Sequence, residues 1–362
     1  MSSILRAPAD VGYLSNKRMA LEIAIGLAHL TNRQLSLPVD EPIGWGPRPA
    51  REPESSGTPS SLRDLFELPI PVMSEDEFAA ATAGRPRRRL DWPELAAAVL
   101  VDPPDAAQDP DVGAFANGRR VITLDPAWVA DPVLELPRTL AYYSHFFCLR
   151  AGPRRALFDL LEAVQPRLPY REFARALAEE LGPYNATHIR RTDLLVGVRD
   201  YRRVTPWMLR DTLAEVFAAD VPLIVCTEAD PASDVFVPLR AHFSEIVFLN
   251  DYVLGSASDR FDALPRHDDP ALAMVSQEVA ARAQGFVGTL SSTFTGIIQR
   301  RRRLGDQSAP FLFTADFLGG DSRFEAGEYQ PVRDGPYTWN RLGLPLDPPT
   351  FSWIREWPEV AR

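Results

Sequence analysis

Lysine is all but missing from this chain. Lys17 is the single one among 39 basic residues, leaving 38 arginines against 49 aspartates and glutamates, a net charge of -10. With a pI near 5.1, a broad basic face is excluded, and with it general binding to nucleic acid or to anionic membrane. Cysteine is nearly as scarce. Cys148 and Cys226 sit in the apolar contexts "HFFCLR" and "PLIVCTE", and match no zinc or redox spacing. No apolar run approaches the roughly 20 residues of a membrane span, and no basic-then-apolar leader opens the chain. No internal repeat is present. A soluble, reduced, cytoplasmic protein is the expectation, in the arginine-, alanine- and proline-rich composition of a GC-rich bacterial coding sequence. A metal centre is not expected: the acidic triplet Asp109-Pro110-Asp111 lies in "VDPPDAAQDPDVG", which reads as a solvated loop.

What is there is an ordinary globular balance, 45% hydrophobic and 24% charged over 362 residues. That length exceeds what one core usually supports, so two domains are expected. In "GYLSNKRMALEIAIGLAHLTNRQLSLP", Met19, Ile23, Leu27 and Leu30 recur at helical spacing, with Ser15 or Asn16 as the expected cap. The strand "RQLSLP" follows, giving a βαβ-like opening. Residues 41–59, rich in Pro, Gly and Ser, read as a long loop or mobile flap. "ELAAAVLVD" and "GRRVITLD" predict strands, and "LPRTLAYYSHFFCL" a buried helix. Helices in "RRALFDLLEAV" and "YREFARALAEEL" lead to the break at Gly182-Pro183. Residues 1–181 and 182–330 are therefore read as the two domains, and 331–362 as a tail that packs back across them. The second half alternates strand and helix cleanly, from "YNATHIR" through "VPLIVCTE" and "SEIVFLN" to "GFVGT". Such alternation marks a parallel, doubly wound α/β sheet.

Two stretches carry chemistry. "HIRRTD" places His188, Arg190, Arg191 and Asp193 at the end of a predicted strand, the position where open α/β sheets hold ligands. "GFVGTLSSTFTGIIQRRRR" runs from a strand through Ser291, Ser292, Thr293, Phe294 and Thr295 into a helix. Hydroxyls and exposed N–H groups at a helix start cradle phosphate. Read alone, Ser292 or Thr293 is equally well a simple helix cap. Taken with the arginines, whose planar fork binds phosphate oxygens bidentately, the two loops suit a diphosphate without any metal.

These stretches, together with the N-terminal "GYLSNKRMALEIAIGLAHLTNRQLSLP", resemble the GDP-fucose fucosyltransferase superfamily, in the family's order and over nearly the whole chain. The resemblance implies a GT-B fold, two Rossmann-like domains facing across a cleft, and an inverting, metal-independent transfer with no cofactor. It implies a nucleotide-sugar donor, by default a GDP-sugar carrying fucose or another deoxyhexose. Arg190 corresponds to the arginine on the donor's β-phosphate. Arg191 and Asp193 complete that motif, and His188 lies near the base. Ser291 to Thr295 correspond to the phosphate loop, and Gly12, Asn16 and Arg18 to a first-domain loop facing sugar and acceptor. The chain departs from the pattern twice. In "MVSQEV", Ser276 stands where the family commonly has a guanine-reading aspartate, and "GYLSNKR" replaces a doubled-glycine, doubled-asparagine loop.

Asp10 and Asp200 are the candidate acceptor bases, each equally readable as a surface carboxylate. The run Arg85 to Arg89 reads as a solvated charge cluster, and Arg300 to Arg303 as cations at the negative end of their own helix. His145 reads as a core histidine, and the sequon at Asn185 as part of a strand. A small-molecule acceptor is expected, since no export signal or disulfide framework is present. No sequence feature specifies an oligomeric state. Three activities fit these residues: a glycosyltransferase, a sugar-nucleotide hydrolase or epimerase, and a non-catalytic nucleotide-sugar binding protein.

Overall fold

A computed structural model of the chain describes residues 3–8, 12–44, 59–89, 99–101, 121–123, 131–136, 147–148, 159–160, 162–190, 205–289, 292–304, 337–339 and 344–346. The chain divides into two compact units. The first is Met1–Gly44 with Ser60–Arg167, the second Trp45–Pro59 with Leu168–Arg362.

The first unit opens with β1 (Ile4–Arg6), α1 (Leu14–Leu30) and β2 (Gln34–Ser36). Helix α1 begins earlier than its capping residues predicted. Tyr13 holds the N-cap position with extended backbone and no side-chain cap, while Ser15 and Asn16 lie inside the helix. Burial is the reason: Leu14 is 3% exposed, and covering it outweighs a side-chain cap of about 1 kcal/mol. Just past the helix end, Asn32 takes the left-handed conformation (φ 50°) that asparagine tolerates. The Arg33 N–H then closes on the Ala28 carbonyl at 2.8 Å.

Next come α2 (Leu62–Leu65), β3 (Val72–Met73), α3 (Glu75–Thr82) and β4 (Arg88–Arg89). Helix α3 starts in a capping box between Ser74 and Glu77. Beyond these lie β5 (Val99–Val101), β6 (Val121–Thr123), β7 (Val133–Glu135) and β8 (Phe147–Cys148). The main sheet runs β3-β2-β1-β7-β4, with every pair parallel. A second parallel sheet runs β6-β5-β8. One expectation is corrected here. Phe147 and Cys148, placed in a buried helix by their apolar run, pair with β5 as a strand; a short apolar run does not by itself separate the two. The arginine run is half-buried to exposed, in keeping with a solvated charge cluster. Arg88 and Arg89 form the edge strand on β7, where charge protects an unpaired edge, and Arg87 lies over the Phe78 ring at 5.3 Å.

The second unit starts with α4 (Leu168–Leu181), which turns Tyr170, Phe173, Ala174 and Leu177 inward; Phe173 meets Phe261 at 5.9 Å between ring centroids. This burial assigns α4 to the second unit and moves the division from Gly182 to Leu168. There follow β9 (Asn185–Ile189), α5 (Pro206–Val216), β10 (Leu223–Thr227), a 3-10 turn at Asp234–Phe236, α6 (Val237–His242) and β11 (Ile246–Phe248). Then come α7 (Leu249–Leu254), α8 (Ser258–Asp262), α9 (Asp269–Ala281), β12 (Phe286–Gly288) and α10 (Thr293–Leu304). Strands β13 (Tyr337–Trp339) and β14 (Leu344–Leu346) pair antiparallel.

The sheet order is β11-β10-β9-β12, all parallel. Chain order thus runs outward from β9 in one direction and then jumps to β12 on its other side. One face packs Ile189, Val225 and Val287 against Leu209, Leu213 and Leu239 of α5 and α6. The alternation of a strand sends His188, Cys226 and Gly288 to the opposite face, beneath α9 and α10. Between β9 and β12 the order reverses, and such a switch point opens a crevice at the carboxyl ends of the strands.

Candidate functional site

His188, Arg190, Ser292, Thr293, Phe294 and Thr295 all gather at that switch point. Strand β9 ends at Ile189, and both neighbouring strands grip its end through threonine hydroxyls. On one side the Thr289 hydroxyl donates to the His188 carbonyl at 2.8 Å and accepts from the Arg190 N–H at 2.9 Å. On the other the Thr227 hydroxyl donates to the Ile189 carbonyl at 2.7 Å and accepts from the Ala229 N–H at 3.1 Å. The half-buried Arg190 is therefore launched from a backbone held on both flanks. These bonds fix where the Arg190 side chain leaves the strand.

Helix α10 begins directly opposite. Its first closed turn is the Gly296 N–H to the Ser292 carbonyl at 3.0 Å, so Ser292 stands at the cap position, and the N–H groups of the first turn have no intrahelical acceptor. Ser292 is 1% exposed, and its hydroxyl has no hydrogen-bond partner among the described residues. An unmatched buried hydroxyl costs about 1–3 kcal/mol, so a site that keeps one at a helix start is suited to an incoming acceptor such as a phosphate oxygen. His188 is 6% exposed; its Nδ1 lies 2.8 Å from the Thr295 hydroxyl and its ring 4.5 Å from that of Phe294. The helix approaches so closely because Gly288 has no side chain: a Cβ there would stand 2.3 Å from Thr295 Cγ2.

Ser276 lies on α9, 2% exposed. Its hydroxyl donates to Asn250 Oδ1 at 3.4 Å, and Asn250 Nδ2 donates to the Thr227 carbonyl at 3.4 Å. Ser276 thus belongs to a neutral amide–hydroxyl pair reaching the carboxyl end of β10. Neither Asn250 nor the two strand-end threonines as a gripping pair was evident in the sequence. The signal was available in "VCTE" and "VGT", where a threonine closes a buried strand.

In the first unit, Gly12 and Asn16 are half-buried at the start of α1. Arg18 is elsewhere than expected. It lies within α1 at 3% exposure, its Nε donating to Glu22 Oε1 and its Nη2 to the Val164 carbonyl, each at 3.0 Å. Its guanidinium also covers the Phe66 ring at 5.1 Å. A buried carboxylate needs such a partner, so Arg18 braces the interior of its unit from within α1, where a loop position had been expected. Arg302 departs similarly. Rather than complementing its own helix end, it donates to the Ala281, Ala283 and Gln284 carbonyls that close α9, and burial pulls its guanidinium down to about 10. Arg301 pairs with Glu278 at 2.7 Å. Asp10, Arg191, Asp193, Asp200, Ser291, His145 and the triplet 109–111 lie outside the described residues. Among the described residues no cluster of three or more metal-ligating side chains occurs, and no helix is long and apolar enough to cross a membrane.

The fold and site define a two-unit parallel α/β protein with an arginine and a hydroxyl-rich helix start at one switch point. No protein-family model and no curated protein matches the chain. Solved structures do. POFUT1 in complex with GDP-fucose matches at a TM-score of 0.48 and 14% identity, over 86% of this chain and 98% of that one. NodZ alpha-1,6-fucosyltransferase soaked with GDP-fucose matches at 0.44 and 16%, over 83% and 92%. Fucosyltransferase NodZ from Bradyrhizobium matches at 0.43 and 14%, over 83% and 93%.

Proposed function

We propose that the protein is an inverting, metal-independent glycosyltransferase of the GT-B class. Its donor is a nucleoside-diphosphate sugar, GDP-fucose or another GDP-deoxyhexose in the first instance, and its acceptor a small molecule. The observation that carries this is the pairing of a strand-end arginine with a helix start whose buried Ser292 hydroxyl has no partner among the described residues, at the switch point of the four-stranded sheet, where strand order reverses. The motif resemblance set out above supplies the reaction type.

Breaking the bond between the anomeric carbon and phosphate leaves negative charge on the departing diphosphate. Arg190 and the start of α10 meet that charge as it grows, so their interaction is stronger in the transition state than in the ground state, which is the condition for catalysis. The acceptor hydroxyl attacks the opposite face of the sugar and loses its proton to a carboxylate, for which Asp10 and Asp200 are the candidates. His188, bonded to Thr295 and packed at a tilt against Phe294, shapes the wall of the nucleotide site.

Binding and turnover test this separately. Thermal shift with GDP, UDP, dTDP, ADP and CDP identifies the nucleotide, since a ligand at 100 times its dissociation constant adds about 2.7 kcal/mol. Arg190→Ala is expected to lower transfer 100- to 1000-fold, about 3–4 kcal/mol, with folding unchanged; Arg190→Lys restores little because an ammonium lacks the fork. An Arg190→Ala protein retaining more than a tenth of wild-type turnover refutes the assignment. Donor cleavage at full rate without acceptor favours the hydrolase reading instead.

A further inference from the structure

A cavity of about 330 Å³ opens in the first unit at the amino ends of β2 and β3, beside the last turn of α1. That volume is at the small end of ligand sites and favours a single ring or a fused pair. Its lining has two characters. His29, Asn32 and Gln34 are polar and exposed, while Ile70, Pro71 and Met73, leading into β3, are apolar. The polar part stands on a fixed backbone. The Asn32 N–H donates to the His29 carbonyl at 3.1 Å, the Arg33 N–H to the Ala28 carbonyl at 2.8 Å and the Gln34 N–H to the Ser3 carbonyl at 2.9 Å. Little backbone ordering is therefore left for a ligand to impose. Charge narrows the class of ligand further. Arg33 also lines the cavity, at 6% exposure, but its Nη1 donates to the Ile4 carbonyl at 3.2 Å and the Asp131 carboxylate opposes its charge. The carbonyls that end α1 add the negative end of a helix dipole. An anion thus meets no uncompensated positive charge, and among the described residues no carboxylate lines the cavity to hold a cation.

We propose that this cavity is a second binding site, for a small neutral heterocycle that carries a hydrogen-bond donor and acceptor side by side on one edge. The edge meets the carboxamides of Asn32 and Gln34, each of which offers a donor beside an acceptor, and the ring lies on Ile70, Pro71 and Met73. Carboxamides read such edges bidentately, as Asn and Gln read adenine, and a thioether packs well against a ring. The site is independent of the nucleotide-sugar reading. It lies at the amino ends of its strands, whereas open α/β sheets hold substrates at the carboxyl ends. The 17 residues of α1, about 25 Å at 1.5 Å per residue, separate it from the Gly12 loop. Its ligand is accordingly neither the sugar donor nor the acceptor.

NMR of the full chain labelled with ¹³C at its methionine methyl groups tests this, Met73→Leu assigning the Met73 resonance among the five methionines. The probes are adenine, hypoxanthine, uracil and nicotinamide, with toluene and benzoate as controls that supply a ring without the neutral donor–acceptor edge. At least one heterocycle is expected to move the Met73 resonance saturably, with a dissociation constant on the order of a millimolar or below, and both controls are expected to bind more weakly. Asn32→Gly keeps the left-handed backbone (φ 50°) that alanine would strain. Combined with Gln34→Ala it is expected to weaken the heterocycle about tenfold, the size of one bidentate carboxamide contact, while the thermal shift given by GDP stays as in wild type. No movement of Met73 with any of the heterocycles overturns the proposal, and this measurement on wild type decides the matter even if the variants fold poorly. Toluene or benzoate binding as tightly as the best heterocycle overturns it too, since the cavity would then be merely apolar or anion-binding. So does undiminished affinity in Asn32→Gly/Gln34→Ala, or a Met73 response that saturating GDP abolishes. If no nucleoside diphosphate binds the protein, the nucleotide-sugar reading fails alone, and the Met73 titration still decides this one.

Discussion

Replacing Gly288 by alanine tests the packing that creates the site. The added Cβ would lie 2.3 Å from Thr295 Cγ2, 2.7 Å from Thr295 Oγ1 and 3.0 Å from a Phe286 ring carbon. Thr295 cannot turn aside cheaply. It is fully buried, it is β-branched and stiff at χ1, and its hydroxyl is 2.8 Å from His188 Nδ1. Forcing one methyl into such a place costs about 1–3 kcal/mol. The alanine recovers about 0.4–1 kcal/mol by restricting the unfolded chain, leaving a net loss of about 1–2 kcal/mol. Thr295→Ser removes the methyl at 2.3 Å and keeps the hydroxyl, so Gly288→Ala/Thr295→Ser is expected to recover part of the loss, with a coupling above about 0.5 kcal/mol. The assay is thermal unfolding of the four proteins, alongside GDP affinity, which should fall in Gly288→Ala as α10 is pushed from the strand. Gly288→Ala as stable as wild type, or a double variant no better than the sum of its parts, would refute the close approach.

Burial pushes the Cys226 thiol up from its ordinary value of 9.0 to about 12. The fold thus favours the protonated thiol, and this contribution is complete below the unfolded value and lost as pH rises from about 9 toward 12. Stability should fall across that window, with a smaller slope in Cys226→Ala; at pH 8 iodoacetamide should label Cys226 only when the protein unfolds, as peptide mapping reads directly. If the proposed function is right, the transfer reaction should survive excess EDTA, because on that reading Arg190 and the start of α10 supply the positive field a cation would otherwise give. Loss of turnover in EDTA that Mg²⁺ or Mn²⁺ restores would return attention to the Asp109–Asp111 triplet.

The second unit was far more legible in the sequence than the first. Buried strands such as "VPLIVC" are bounded by helices with a clear apolar period, and parallel strands covered on both faces read as continuous apolar runs. Helices α7 and α8 escaped because "LNDYVLGSASDRFDALP" is broken by glycine and small polar residues before any period is established. In the first unit, β3, β4 and β7 are two or three residues long, too short to show alternation, and β4 consists of two arginines that by composition belong to a loop. The site divides the same way. Arg190 and the hydroxyls of α10 were visible because charge and hydroxyls after an apolar strand are conspicuous. The grips by Thr227 and Thr289 were not, since a threonine closing a strand looks like the start of any turn. Arg18 entered through the resemblance alone, and its pairing with the buried Glu22 had no sequence signal beyond the i, i+4 spacing.

On the proposed reading, Ser276 stands where the base is read. An aspartate accepts two hydrogen bonds from guanine, at N1–H and the exocyclic amine, a pattern that adenine, uracil and thymine do not offer, and a wrong base would strand its charge. The Ser276 hydroxyl can accept at most one such bond and is already oriented by Asn250, whose Oδ1 it meets at 3.4 Å. The two together form a neutral pair, so guanine should be held with less discrimination than a carboxylate would give. Ser276→Asp should shift preference toward GDP at least tenfold over the other four diphosphates. The new carboxylate enters a position only 2% exposed and can be met by the Asn250 amide turned to present its nitrogen, so a stability loss of about 1–3 kcal/mol is expected without ligand, recovered when GDP binds. Competition binding of the five diphosphates to wild type and variant measures both effects. Wild type already preferring GDP by more than 100-fold, with no gain in a folded Ser276→Asp, would show that the base is read elsewhere.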